Sequence, residues 1–578
     1  MNFQRTAALF VLLALPAIAQ DDLGALGAPP NPKVDVRWNR FYDTKELGEI
    51  LDRLGAAFPG LTKLHTIGTS VGGRSIRGIE ITSHSKGDGA RKAGFYIDGN
   101  IHGNEVQGAE AALYTAWYLL ENYGRVAKVT ELVDERVFYI FPTINPDGRD
   151  AFLLSPNTAH SLRGGVKPWD NDGDGRSDED GFDDLDGDGN IVQMRRRNPH
   201  GRWKAHAQEP RLMVPCEPDE EGEFERLDEE GLDNDGDGQV NEDGPGGYDP
   251  NRNWPTDWQP PYVQHGSHDF PLSLPEDRAV ARFWMARPNI AGAQSYHNAG
   301  GMILRSPGQQ GGHVPERDAA LYDVIGKKGE QMLPGYKYMI IWKDLYTVWG
   351  GEVDWFYFGR GVVTFTNELW TEANLFRTAS AGLFADTKED RAKFSKLLLM
   401  KDAFVEWKRF KHPTYGDIEI GGFKKNFGRT PPSFLLEEEC HRNMAFTLYH
   451  ADQMPRLSLD APTVRALGDG LFAVRVNARN ARMIPSRTAI DVASRISRPD
   501  ELTIAGDGVT ALSAGIVKDR DFNRVEPSTG KPSRIRIDSV PGMWETTVEW
   551  VVKGSGAFRV TLDSVKGGRV EVAAEIPK

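Results

Sequence analysis

A histidine and a glutamate three residues apart are the first chemically suggestive feature of the sequence. His102 and Glu105 follow an apolar run that ends at Asp98, and they stand where a helix is expected to begin. Imidazole nitrogen and carboxylate oxygen both bind Zn²⁺, and a catalytic zinc site has three protein ligands and one open position. His297 follows another apolar run and can supply the third ligand, because sites gather at the carboxyl edge of α/β sheets. The pair alone is weak evidence, since this spacing also describes an ordinary solvated helix face.

A second group of possible ligands is an internal repeat rich in Asp and Gly. Asp170–Gly181 reads DNDGDGRSDEDG, Asp233–Gly244 reads DNDGDGQVNEDG, and Asp184–Gly189 reads DLDGDG. Alternating carboxylates followed by glycine resemble the start of a calcium loop, although the closing bidentate glutamate of an EF-hand is missing from all three. We predict structural calcium here; the alternative is a solvated acidic segment without cations. The candidate ligands are Asp170, Asp172, Asp174, Asp184, Asp186, Asp188, Asp233, Asp235 and Asp237.

These residues must be positioned by the elements around them. From about residue 60 to 370, apolar strand-like runs alternate with helical stretches, which predicts an α/β fold with a mixed β-sheet flanked by helices. The runs include 94–98, 137–141, 290–296 and 362–366, with helices over 105–120 and 388–410.

Two regions depart from this alternation. The acidic stretch interrupts the pattern as an insertion, and after about Met454 short β-rich runs separated by turn residues predict a β-sandwich. We therefore divide the chain into a signal peptide (1–19), a leader (20–37), a catalytic domain (38–453) containing the acidic insertion (160–248), and a β-sandwich domain (454–578).

Composition restricts the class of protein. The 578 residues carry a net charge of −14, which argues against a nucleic-acid partner because that function needs a basic face. Arg5, a short apolar run and Ala17-Ile18-Ala19 predict a cleaved signal, hence a secreted or periplasmic protein without stable membrane insertion; the alternative is an uncleaved anchor. The two cysteines, Cys216 and Cys440, can form a disulfide or remain free thiols.

Taken in order along the chain, several motifs make the sequence similar to the zinc carboxypeptidase A (M14) family. They are His102-x-x-Glu105, Asn251-Arg252 in YDPNRNW, His297, Tyr346 and Glu368 in TFTNELW. The resemblance covers roughly residues 35–450 apart from the insertion. It implies one catalytic Zn²⁺ held by His102, Glu105 and His297, with Glu368 as general base.

The same resemblance implies residues that bind the substrate. Asn251 and Arg252 would hold the terminal carboxylate, Tyr346 would cap it, and Val353 would face the departing side chain and favour an apolar one. The family also places an arginine beside the scissile carbonyl, and Arg195 in the run MRRRN is the best match; the alternative is that this run is basic surface.

The sequence therefore predicts a secreted zinc metallocarboxypeptidase that acts on the C-termini of peptides or proteins. Two other functions remain open: a cell-wall peptide (muropeptide) amidase or amide deacylase on the same fold, and a non-catalytic binding protein acting through the β-sandwich. The residues that would bind a free α-carboxylate favour the carboxypeptidase, although stem peptides of the cell wall also have a free α-carboxylate.

Overall fold

The structure is a computed structural model that describes residues 26–29, 31–372, 376 and 388–577. The predicted signal peptide and the first residues of the leader lie outside this range. Within it, no helix combines the length and the apolar character that crossing a bilayer requires.

The larger, N-terminal part is built on an eight-stranded mixed sheet in the order β1-β2-β4-β3-β9-β12-β10-β11. Strands β3, β4, β9 and β12 run parallel to one another, so their carboxyl ends lie at one edge. The strands are β1 (Thr62–Thr69), β2 (Ser75–Ile81), β3 (Ala93–Gly99), β4 (Arg136–Phe141), β9 (Ile290–Asn298), β10 (Met302–Arg305), β11 (Lys337–Ile340) and β12 (Val363–Leu369).

Helices cover both faces of this sheet. Alternation along β3 sends Phe95 and Ile97 into one apolar cluster with Leu113 and Met444, while Tyr96 enters another with Trp284. This two-sided burial explains why the central strands are almost continuously apolar. The helices are α1 (Thr44–Ala57), α2 (Gln107–Glu121), α3 (Ala127–Glu135), α4 (Pro146–Leu154), α5 (Pro275–Met285), α6 (Glu316–Met332), α7 (Lys388–Leu398), α8 (Leu436–Asp452) and α9 (Ala489–Ser494).

A close approach of two glycines lets α2 begin directly against the end of β3. A Cβ added at Gly99 would lie 2.5 Å from the carbonyl carbon of Gly108, so neither position has room for a larger residue. The loop that carries His102 and Glu105 is held between these two elements and is fully buried.

A second sheet joins the insertion to a later part of the chain. It has six antiparallel strands in the order β13-β14-β5-β8-β6-β7. These strands are β5 (Gln193–Arg197), β6 (Trp203–Ala205), β7 (Met213–Pro215), β8 (Phe224–Glu229), β13 (Phe404–His412) and β14 (Gly416–Phe423). The second half of the insertion is therefore a folded sheet.

The predicted helix over 388–410 is wrong in its second half. Helix α7 ends at Leu398, and Phe404–His412 forms a hairpin with β14. The aromatic residues of FVEWKRFKH favour a strand, and pairing with the insertion supplies the hydrogen bonds and the apolar neighbours that only the tertiary structure provides.

The C-terminal part consists of two antiparallel sheets packed face to face, as the sequence predicts. Val548 and Trp550 from one sheet share a core with Leu502 and Val560 from the other. The first sheet holds β15 (Leu457–Leu459), β16 (Thr463–Gly468), β17 (Leu471–Asn480), β19 (Val509–Asp519), β20 (Arg524–Pro527) and β22 (Trp544–Gly554). The second holds β18 (Asp500–Ala505), β21 (Arg534–Ile537), β23 (Gly556–Ser564) and β24 (Gly568–Ile576).

The junction between the two parts is buried. Met454 is fully buried in the main core, and the buried Arg136 donates hydrogen bonds to the carbonyl oxygens of Met454 and Pro455 at 3.0 and 2.8 Å. Lys566 of the C-terminal domain donates to the carbonyls of Arg360 and Gly361, just ahead of β12.

Candidate active site

The structure brings the three predicted metal ligands together. His102 and Glu105 lie between β3 and α2, and His297 lies near the end of the neighbouring β9. The Nδ1 atoms of the two histidines are 3.2 Å apart, and the two carboxylate oxygens of Glu105 lie 3.0 Å from Nδ1 of His102 and 2.9 Å from Nδ1 of His297. All three side chains are buried.

This donor set has the chemistry and the spacing of a catalytic zinc site. Two imidazoles and one carboxylate are a usual ligand trio, and ligands at about 2.0 Å in tetrahedral geometry stand roughly 3.3 Å apart. The two imidazole nitrogens are 3.2 Å apart with a carboxylate between them, which is the separation expected for ligands of one cation. Burial opposes the charge of Glu105, but the two histidines outweigh it and hold the pKa of that carboxyl well below its usual value.

Each histidine has a carboxylate behind it. Nε2 of His102 lies 3.0 Å from Asp249, and Nε2 of His297 lies 3.5 Å from Glu352. The hydrogen bond to Asp249 keeps the proton of His102 on Nε2 and leaves its Nδ1 free for a metal, whereas Nε2 of His297 faces the charge of Glu352 without a hydrogen bond. The sequence indicated neither residue as a partner: Glu352 adjoins Val353 in the chain, yet its side chain is fully buried against His297 and Ser295.

Glu368 stands beside the metal ligands because of strand register. It is the parallel-strand partner of His297, and both Glu368 and Glu105 line a cavity of about 380 Å³. Burial, followed by the charge of Glu105, raises the pKa of Glu368. Tyr346 lines the same cavity with half of its surface exposed.

Asn251 and Arg252 adjoin this group through a turn. The Asn251 side chain accepts a hydrogen bond from the backbone N–H of Glu352 at 2.8 Å, and the Arg252 guanidinium lies 3.8 Å from Asp249. Val353 belongs to a buried apolar cluster with Met302 and Val348. The predicted substrate-binding residues are therefore connected to the partners of the two histidines.

Arg195 lies outside the cavity and away from the metal ligands. Its guanidinium lies in the second sheet, bound to Glu419 at 2.7 Å and sandwiched between the rings of Phe224 and Trp407. The expectation for Arg195 is therefore wrong, because strand pairing with β8 and β14 directs this run into the second sheet.

Three other arginines, Arg163, Arg391 and Arg429, line the cavity instead. Arg163 donates to Glu105 at 3.0 Å and to Asp249 at 2.9 Å, and Arg429 donates to the carbonyl of Asn298 at 3.0 Å. Arg163 lies at the start of the insertion, a few residues ahead of the acidic repeats, so its position between the ligand motif and the repeats could have indicated it. Arg429 lies near the end of the domain, and no spacing rule predicts its role.

The acidic repeats form exposed loops in which the carboxylates bind their own backbone. Asp170, Asp172 and Asp174 lie close enough to hold one cation, as do Asp184, Asp186 and Asp188. Asp170 accepts hydrogen bonds from two glycine N–H groups of its loop, and Asp233 does the same in the matching loop. Asp235 and Asp237 occupy positions equivalent to Asp172 and Asp174.

The two long repeats support each other. Asp180 and Asp243 are joined by an antiparallel bridge, and each buried carboxylate accepts backbone hydrogen bonds from the opposite repeat. The two cysteines are both buried and unbonded to each other.

A buried His–Glu–His group beside a glutamate, at the carboxyl edge of a mixed sheet, has the composition of a zinc peptidase site. A family model described as zinc carboxypeptidase matches residues 47–392, and the chain belongs to this family. A second model, described as a domain of unknown function (DUF8731), matches residues 456–575.

Curated relatives share short segments with the chain. Carboxypeptidase D of Anas platyrhynchos is 36% identical over 115 residues, which is 20% of this chain and 8% of that protein. Carboxypeptidase M of Mus musculus is 30% identical over 112 residues, 19% of this chain and 25% of that protein. An inactive metallocarboxypeptidase of Saccharomyces cerevisiae is 28% identical over 114 residues, 20% and 26% of the two chains. The chain thus spans about a quarter or less of each of these relatives.

Solved structures with a similar fold include thrombin activatable fibrinolysis inhibitor, with 15% identity, a TM-score of 0.45, and coverage of 73% of this chain and 79% of the other. Carboxypeptidase A from Helicoverpa armigera has 18% identity and a TM-score of 0.41, covering 66% and 78%.

Proposed function

We propose that this protein is a zinc metallocarboxypeptidase that removes C-terminal residues from peptides. The observation that carries the proposal is the meeting of His102, Glu105 and His297 in one buried group, with Glu368 beside them on the next strand. A relative described as inactive shows that family membership alone does not establish activity.

The chain's own residues supply most of the proposed mechanism. Zinc held by the three ligands would supply a Lewis acid for the scissile carbonyl and for the attacking water. Glu368 takes a proton from that water and delivers it to the leaving amine, a role suited to a partly buried carboxyl with a raised pKa. Arg163 or Arg429, in place of Arg195, stabilises the charge that develops on the carbonyl oxygen.

The remaining residues select the end of the peptide. Arg252 and Asn251 hold the terminal carboxylate, and Tyr346 at the mouth of the cavity covers it. Val353, within its apolar cluster, favours an apolar departing side chain. Replacing Val353 by Asp should shift preference toward Lys and Arg; an unchanged preference would remove Val353 from this role.

We extend the proposal to location and to a second metal. The N-terminal pattern supports export to the periplasm or outside the cell, and the Asp/Gly loops support structural Ca²⁺. Three closely spaced carboxylates repel one another strongly unless a cation neutralises them. A rise in melting temperature with Ca²⁺ but not with Mg²⁺ would support the second part, and equal effects would contradict it.

The decisive experiment is release of the C-terminal amino acid from a set of blocked peptides by the full chain. Zinc reloading after chelation should restore the release, and Glu368→Gln should abolish it while zinc content stays at one per chain. Cleavage of muropeptides or acyl amides without release of amino acids from linear peptides would favour the amidase or deacylase alternative.

A further inference from the structure

A second cavity lies on the sheet built by the insertion. It has a volume of about 240 Å³, and Ala159 and Arg391 line both this cavity and the cavity that contains Glu368. The two cavities are therefore neighbours that share part of their walls.

The lining of the second cavity is basic and aromatic. Five cationic residues and one acidic residue, Glu229, line it, in a chain whose net charge is −14. Burial, with the neighbouring Asp228, raises the pKa of Glu229 to about 7, so this carboxyl is about half ionised at neutral pH and offsets only part of the positive charge. The five cationic residues are Arg211, Arg226, Lys388, Arg391 and Lys425.

Two of these cations form no salt bridge with a carboxylate among the described residues. Lys425 donates to the carbonyl oxygens of Phe152 and Ser155, which leaves the third hydrogen of its ammonium group available. Arg226 lies over the ring of Trp203 at 5.7 Å, and its guanidinium contacts the side chain of Gln193 and interacts with the charge of Glu229. Lys425 is partly buried and Arg226 is exposed, so an incoming carboxylate can approach both charges from the open side of the cavity.

Aromatic side chains make the rest of the wall rigid. Trp407 donates a hydrogen bond from its indole to the carbonyl of Arg211, and the guanidinium of Arg195 lies 3.9 Å from its ring. The arginine run of the insertion thus supports the cavity from behind, while Arg226 from the paired strand faces it.

We propose that this cavity binds acidic side chains of the peptide substrate on the N-terminal side of the scissile bond. The inference rests on the proposed carboxypeptidase function and adds a substrate class to it. Arg226 and Lys425 supply the charge that selects the acidic residue, and Trp203 and Trp407 supply flat surfaces for its neighbours.

The test compares three matched series of peptides that share their last two residues. The upstream positions carry Asp or Glu, Asn or Gln, or Lys. The wild-type chain should show a kcat/KM roughly tenfold higher for the acidic series than for the amide series, expressed mainly in KM, and the advantage should shrink with added salt. The double variant R226Q/K425Q should lose this advantage and keep the wild-type rate on the amide series.

Two controls separate charge selection from damage. The double variant R536Q/K553Q removes the same types of charge from exposed positions of the C-terminal domain and should retain the acidic preference. Lys425→Arg keeps the charge and should retain most of the preference, which guards against misreading a loss of the Phe152 and Ser155 contacts.

The outcomes distinguish this inference from the proposed function. Equal kcat/KM for acidic and amide peptides, with both released, would overturn the acidic subsite and leave the carboxypeptidase intact. Failure to release residues from any series would refute the carboxypeptidase itself. A loss in R226Q/K425Q that is confined to a glycan-linked stem peptide would overturn the acidic-peptide assignment in favour of a cell-wall substrate.

Discussion

The molecule contains two sets of candidate metal ligands that differ in how they are held. The His102, Glu105 and His297 group is buried and assembled from distant parts of the chain, with Asp249 hydrogen-bonded to one imidazole and the charge of Glu352 facing the other. The acidic repeats are local and exposed, and their carboxylates are oriented mainly by N–H groups of their own loops. The contrast teaches that buried ligands need side chains from distant parts of the chain to orient them. Exposed carboxylates can instead be oriented by the backbone of a single short loop.

The largest expected effect is on kcat, from a substitution that removes the general base and leaves the three buried metal ligands unchanged. Glu368→Gln removes the base but keeps the shape of the side chain, so kcat should fall by about 10³-fold. Zinc content, measured by elemental analysis, should remain one per chain. Wild-type turnover in this variant would exclude Glu368 as the proton carrier.

The next effect tests the support behind His297. Glu352→Gln removes the negative charge that faces Nε2, so zinc affinity should fall by roughly 10- to 100-fold in a chelator competition assay. Asp354→Asn is a matched control, because Asp354 is an equally buried carboxyl that accepts a hydrogen bond from Gly308 N–H. An equal loss of affinity in both variants would show a general effect of the segment instead of a specific one on the ligand.

A third prediction concerns a buried imidazole that has no carboxylate beside it among the described residues. His450 lies edge-on to Phe95 and Phe365, and neither of its nitrogens has a hydrogen-bond partner. Burial lowers the pKa of His450 to about 3, so the unfolded chain binds a proton below pH 6.5 that the folded chain does not accept. Stability therefore falls with acidification, and this residue alone contributes a loss of about 2 kcal/mol between pH 7 and pH 5.

His450→Phe should remove that part of the pH dependence in urea unfolding measured at the two pH values. An unchanged difference between them would assign the acid sensitivity to other groups.

The smallest effect belongs to the acidic repeats. Asp174→Asn and Asp237→Asn each remove one carboxylate from an exposed loop, so each should lower the melting temperature in Ca²⁺ by about 2–4 °C. Activity and zinc content should stay unchanged. The same shift in calcium-free buffer would show that these carboxylates act without a bound cation.

The sequence predicted the parts of the site that lie in short motifs. His102 and Glu105 follow an apolar strand, and Glu368 and His297 each occur near the end of another, so their convergence follows from parallel strand ends. Glu352 and Arg429 were missed because only the tertiary structure brings them to the site. Arg195 was misplaced because its neighbours are decided by pairing between strands more than two hundred residues apart.

The buried junction at Met454 and Pro455 has a consequence for how other proteases can cleave the protein. A protease needs several residues of extended, accessible chain, and this connection is instead covered and clasped by Arg136. Nicking there would require prior opening of the catalytic core. The two domains should therefore persist and be degraded together, as a single particle.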